Sequence, residues 1–127
     1  MTINNPVAWF EIYVQDMPRA KAFYETVLQT TFTPMTDPTD SGLQMLGFPS
    51  SPEEYGTPGA LVLMDGFPSG CAGTLVYFKC EECGEVAGRA ADNGGSIFKG
   101  KMPIGEYGFI ALVHDTEGNM IGLHSMK

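Results

Sequence analysis

Apolar and polar positions alternate near the start of the chain. Residues 7–14, Val-Ala-Trp-Phe-Glu-Ile-Tyr-Val, are rich in aromatic and β-branched types, which predicts a strand. Trp9, Glu11 and Tyr13 fall on one face, and Phe10, Ile12 and Val14 on the other. The period then changes. Asp16 is placed to cap a helix, and Pro18 suits a first turn whose N–H groups lack partners. Ala20, Phe23, Tyr24, Val27 and Leu28 follow at i, i+3, i+4, i+7 and i+8, a single apolar stripe. The apolar strand face is the natural surface for that stripe to cover.

The plan returns in the second half. Residues 73–79 (Gly-Thr-Leu-Val-Tyr-Phe-Lys) form another apolar strand, and Cys83, Val86, Ala87, Ala90 and Ala91 repeat the helical spacing. Gly94-Gly95 ends that helix. Ala20 and Cys83 are 63 positions apart, as are Leu28 and Ala91, so the chain reads as two copies of one unit. Strands are expected near Thr31–Met35, Leu43–Phe48 and Ala60–Met64, then at Ser96–Lys101, Gly108–His114 and Met120–Ser125. The stretch Pro49 to Gly59, rich in proline, serine and glycine, is expected to be an exposed excursion. Asp115-Thr-Glu-Gly-Asn119 is expected to close a hairpin, with Gly118 or Asn119 in the left-handed position. The result is one α+β domain over residues 1–127. It consists of two βαβββ modules, about 1–66 and 67–127, forming a curved, partly open mixed β-sheet with the helices on its outer face.

Composition narrows the partners. Of the 127 residues 43% are hydrophobic and 17% charged, enough for a packed core. Seven basic against 15 acidic residues give a net charge of −8, which argues against nucleic acid and anionic membrane surfaces. No apolar run approaches a membrane span, and Met1 to Pro6 lacks the features of a signal peptide. The three cysteines, Cys71, Cys80 and Cys83, are too few for a disulfide framework, so the expected compartment is the cytoplasm. Cys80 and Cys83 make a lone C-x2-C pair, which reads better as small buried hydrophobes than as half of a zinc site.

The run from Glu11 through Val14, Asp16 and Phe23-Tyr24, together with Asp115-Thr-Glu-Gly-Asn119 and Ile121-Gly-Leu123, resembles the vicinal oxygen chelate superfamily. That superfamily includes glyoxalase I, extradiol dioxygenases, and fosfomycin- and bleomycin-resistance proteins. The Gly-Leu-His-Ser ending is similar to that of small bacterial glyoxalase-related proteins of unassigned activity. The resemblance implies a small-molecule ligand and a homodimer. It also implies four metal-ligand positions, which fall here on Trp9, within Ala60–Met64, on Gly73 and on Gly122. None is His, Asp or Glu, the oxygen- and nitrogen-bearing side chains that the family uses on divalent ions. No metal and no other cofactor is therefore expected.

Alternation puts Glu11 two residues beyond Trp9, and His124 two beyond Gly122, each about 7 Å along its strand. Both should face the vacated cleft. A carboxylate and an imidazole converging there could serve as general base and acid. Alternatively they form a buried ion pair, or Glu11 accepts from a tyrosine hydroxyl. Tyr13 and Tyr77 should share the face, and Trp9 fills the cavity or offers a stacking platform. Lys101 and Tyr107, in a glycine-rich stretch before a long strand, are further candidate ligand contacts. Two functions remain open beside a scaffold or interaction role in which the cleft is collapsed. One is a metal-independent lyase or isomerase acting on a small organic substrate through Glu11 and His124. The other is a protein that sequesters a ligand without chemistry, for which the −8 charge favours a cationic guest.

Carefully purified protein is expected to carry no stoichiometric Ni, Zn, Mn or Fe. One tightly held ion per chain in elemental analysis would overturn the assignment of the ligand positions.

Overall fold

The structure is a computed structural model that describes residues 7–36, 42–51, 53–70 and 74–127. The first alternating segment yields strand β1 (Phe10–Tyr13). It is shorter than the alternation because its parallel partner begins only at Gly59, opposite Phe10. Helix α1 (Met17–Val27) follows, capped by the Asp16 side chain, which accepts from the Arg19 N–H at 3.0 Å. Strands β2 (Thr33–Met35), β3 (Gln44–Gly47) and β4 (Gly59–Leu63) complete the first module. The second module runs β5 (Val76–Lys79), α2 (Cys83–Asp92), β6 (Ser96–Pro103), a 3-10 turn (Gly105–Tyr107), β7 (Phe109–His114) and β8 (Met120–Ser125).

The expected repeat is present, as two four-stranded sheets. Their orders are β1-β4-β3-β2 and β5-β8-β7-β6, with β1/β4 and β5/β8 parallel and the other pairs antiparallel. The two sheets meet along β1 and β5. Phe10 and Phe78 touch across this seam at 5.9 Å between ring centroids, but among the described residues no backbone hydrogen bond joins the two strands. The sheet surface therefore stays open there.

Both helices cover the same side. Ala20, Phe23, Tyr24 and Val27 of α1, and Cys83, Val86, Ala87 and Ala90 of α2, are buried with Ile12, Val14, Val113, Ile121 and Leu123. Cys83 is buried as expected, and Cys80 is half-buried. Burial pushes the Cys80 thiol up to about 11, away from thiolate reactivity. Cys71 and Gly73 lie outside the described residues. Arg89 joins the helices by donating to the Val27 carbonyl at 3.0 Å, one of the helix-end carbonyls without an intrahelical partner.

The β7–β8 hairpin carries a second, polar connection between modules. Gly118 takes the left-handed conformation (φ +80°) that the tight turn requires. This points Asp115 and Glu117 back at the first module. Asp115 accepts from the Tyr24 hydroxyl at 2.6 Å and from the Glu117 and Asn119 amides at 2.8 Å each. Burial, then the Asp115 charge, raises the Tyr24 phenol well above its usual value. The Glu117 side chain is fully shielded from solvent. It accepts from Arg19 at 2.7 and 2.8 Å and from the Gln15 and Asp16 amides at 2.9 and 3.1 Å.

Burial alone would raise the Glu117 carboxyl, but its donors, Arg19 foremost, outweigh that and hold it at about 2 against an ordinary 4.5. Because the folded value is depressed, the ionised carboxylate stabilises fully above about 4.5, and this contribution fades as pH falls towards about 2. Glu117→Gln is expected to cost about 2–3 kcal/mol in urea unfolding at neutral pH. The gap between wild type and variant should narrow between about pH 4.5 and 2. A gap independent of pH would contradict this account.

Candidate functional site

With the helices on one side, the other side of each sheet carries no helix among the described residues. On β1 this face carries Glu11 and Tyr13, with Trp9 just before the strand. The three side chains form a ladder at i, i+2 and i+4. The Trp9 indole Nε1–H donates to Glu11 Oε2 at 3.1 Å, and the Tyr13 hydroxyl donates to Glu11 Oε1 at 2.7 Å. Each carboxylate oxygen thus has one aromatic donor and keeps lone-pair capacity for another. The hydrogen bond to Glu11, then burial, pushes the Tyr13 phenol up to about 12. Tyr13 stacks on Phe67 with centroids 5.2 Å apart and planes 20° from parallel. Phe67 is itself held by its amide donating to the Met64 carbonyl and its carbonyl accepting from Gln15.

Beside the ladder, where β1 meets β5 and β8, lies a cavity of about 160 Å³. Glu11, Tyr13, Pro68, Val76 and Met120 are among the residues that line it. A larger groove of about 430 Å³ lies on the helical side, between α1 and the α2 terminus. Its charged residue, Arg19, is already committed to Glu117, so the smaller cavity is the better candidate.

The second module brings Tyr77, Lys79 and His124 to the corresponding face. Tyr77 lies over Gly122, and a Cβ at 122 would strike its ring. Gly122 therefore seats Tyr77. His124 hydrogen-bonds through Nε2 to the Tyr107 carbonyl at 2.7 Å, while the Tyr107 side chain is exposed. Among the described residues no ion pair or hydrogen bond joins Glu11 to His124. Of the three expected environments for Glu11, the structure displays the tyrosine hydroxyl. Lys101 pairs with Glu82 at 2.6 Å at the start of α2 and lies over the Phe109 ring, apart from Trp9, Glu11 and Tyr13.

Sequence reasoning missed Phe67 and Asn119. Asn119 donates to the Tyr13 carbonyl at 2.9 Å and so fixes the end of the ladder strand. The available signal was a hairpin with two acids and an amide in five residues, more polar groups than a turn needs.

The sequence matches the family model for the glyoxalase/bleomycin resistance protein/dioxygenase superfamily over residues 7–123. The chain belongs to this superfamily. Among solved structures it resembles a mutant of glyoxalase I from Zea mays, with TM-score 0.73 and 22% identity. That match covers 95% of this chain but 46% of the maize protein, so the chain spans about half its length. It also resembles TnmS3, an antibiotic binding protein from Streptomyces sp. CB03234, with TM-score 0.65 and 25% identity over 98% of both chains. A glyoxalase/bleomycin resistance protein from the same organism matches at TM-score 0.63 and 26% identity, over 93% of this chain and 98% of that one. No curated protein matches.

The donor set does not fit the metal that many members of this superfamily hold. Trp9 offers only an N–H, already given to Glu11, and β4 and Gly122 supply no donor side chain. Among the described residues no group of three or more His, Cys, Asp or Glu is arranged around a common point.

In the Glu11→Gln variant the Tyr13 phenol is expected to titrate closer to 10 than to 12, because the carboxylate that opposes its ionisation is gone. Absorbance titration of the tyrosines checks this. An unchanged high-pH transition would mean that the ladder does not exist in solution.

Proposed function

We propose that this protein binds and sequesters a cationic small organic molecule on the open face of β1 and β5. The observation that carries this reading is the ladder itself. Glu11 is an exposed carboxylate without a cationic partner among the described residues, oriented by two aromatic donors whose rings flank it. An ammonium or guanidinium group meeting it gains a charge-assisted hydrogen bond and lies against π-faces that attract cations. The net charge of −8 raises the local concentration of such a guest. The 160 Å³ cavity is small against ordinary ligand pockets, so it takes one substituent while the remainder lies on the open face. The likeness to TnmS3, described as an antibiotic binding protein, supports the same reading.

A lyase or isomerase acting through Glu11 and His124 is less well supported, since the hydrogen bonds of the two residues run to separate partners. We place the protein in the cytoplasm as a homodimer, on its cysteine usage and family resemblance.

Trp9 is the single tryptophan of the chain and reports on this face directly. Titration with aromatic amines and cationic antibiotics, read by its fluorescence and by calorimetry, is expected to find a binder. Glu11→Gln should weaken that binder about tenfold or more, the usual worth of a charge-assisted hydrogen bond. Binding that is indifferent to Glu11→Gln, or a preference for anionic ligands, would defeat the proposal. Turnover of the bound compound that is lost in both Glu11→Gln and His124→Ala would favour the enzyme instead.

A further inference from the structure

The connection between β3 and β4 reaches across to the other module. It leaves β3 near Phe48 and re-enters the sheet at Gly59, and its residues 53–56 are exposed. Two contacts tether its described part. The Thr57 hydroxyl donates to the Val7 carbonyl at 3.2 Å, just ahead of Trp9. Lys79, at the end of β5, donates from Nζ to the Tyr55 carbonyl at 3.0 Å and lies over the Tyr55 ring, 4.6 Å from its centroid.

The side of the sheet to which these contacts belong follows from alternation. Phe78 packs into the helical core, so its neighbours Tyr77 and Lys79 point to the open face, and Tyr55 is held on that side. In the lateral order of the strands β1 lies between β4 and β5. A connection that starts from β4 and touches Lys79 must therefore pass the N-terminal end of β1, where Trp9 stands. The tether is a surface contact, since Tyr55 remains 78% exposed while it is made. Contacts of this kind are weak enough to open and re-form.

We propose that residues 53–58 are a strap beside the Trp9 end of the open face, latched by Lys79 on Tyr55, and that its release uncovers more of the Trp9 ring, 40% exposed while the latch is closed, to a ligand on that face. The closed strap accounts for an otherwise odd placement. Lys79 has no carboxylate partner among the described residues although acidic side chains outnumber basic ones about two to one. A lysine that must let go reversibly is better served by a carbonyl and a ring than by a salt bridge. The gating role rests on the ladder being the binding face.

The test needs no ligand, so a failed ligand screen and a failed strap are separate results. Two measurements are made on the intact chain: chymotrypsin cleavage after Tyr55, and acrylamide quenching of Trp9. Lys79→Met is expected to speed cleavage about two- to fivefold, the range of an exposed cation–π contact, and to raise the quenching constant. Lys79→Arg, which can still donate to the carbonyl and stack on the ring, should restore both. Thr57→Val frees the strap without touching β5 and should move both in the same direction as Lys79→Met, with the thermal midpoint unchanged. If neither measurement responds, the latch is refuted. Faster cleavage with unaltered quenching would show that the strap does not cover Trp9, and would refute the gate.

Discussion

The two modules are held in one arrangement by a carboxylate that cannot reach water. Glu117 sits at the tip of the second module's last hairpin, yet apart from the neighbouring Thr116 hydroxyl its partners are Arg19 and the amides of Gln15 and Asp16, all at the β1–α1 junction of the first module. An ionised carboxylate out of solvent costs several kcal/mol unless its lone pairs are filled, so it tolerates few relative placements of the hairpin and the helix. Asp115 adds the Tyr24 hydroxyl from the centre of α1. Apolar packing of Phe78 against Phe10, Tyr24 and Phe48 supplies area across the same boundary, but rings permit sliding that a carboxylate accepting five hydrogen bonds does not.

The open face depends on that arrangement. Asn119, from the same hairpin, donates to the Tyr13 carbonyl and anchors the β1 end where Tyr13 stacks on Phe67. Because β1 and β5 approach through side chains and not backbone hydrogen bonds, a cavity remains between them beside Glu11. The positions where metal-dependent relatives place ligands are used here for other ends. Trp9 orients a carboxylate, and Gly122 supports an aromatic ring. Among the described residues the β1 part of this face is an aromatic surface around the Glu11 carboxylate.

Much of this was legible in the sequence because it is periodic. The stripe from Ala20 to Val27, its echo from Cys83 to Ala90, the Asp16 cap and the Gly118 turn all follow from local rules and are realised as read, whereas Leu28 caps the end of α1 half-buried and Ala91 is exposed. Alternation along β1 also put Trp9, Glu11 and Tyr13 on one face. The strand ends were less accurate, since β1 begins only at Phe10, where β4 begins to offer partners at Gly59. The convergence of Glu11 with His124 was an inference across two strands of different sheets, where alternation gives the face but not the distance.

The sequence by itself therefore determined the elements, the repeat and the face on which each strand residue lies. These depend on neighbours within about one helical turn or two strand positions, and such neighbours are fixed by the period of the chain. Only the tertiary structure decided which partner each polar group took. Glu11 chose Trp9 and Tyr13 over His124, Glu117 met Arg19 across 98 residues, and Lys79 reached Tyr55 across 24. Side-chain hydrogen bonds require approach within about 3 Å, and that precision comes from packing two sheets and two helices together.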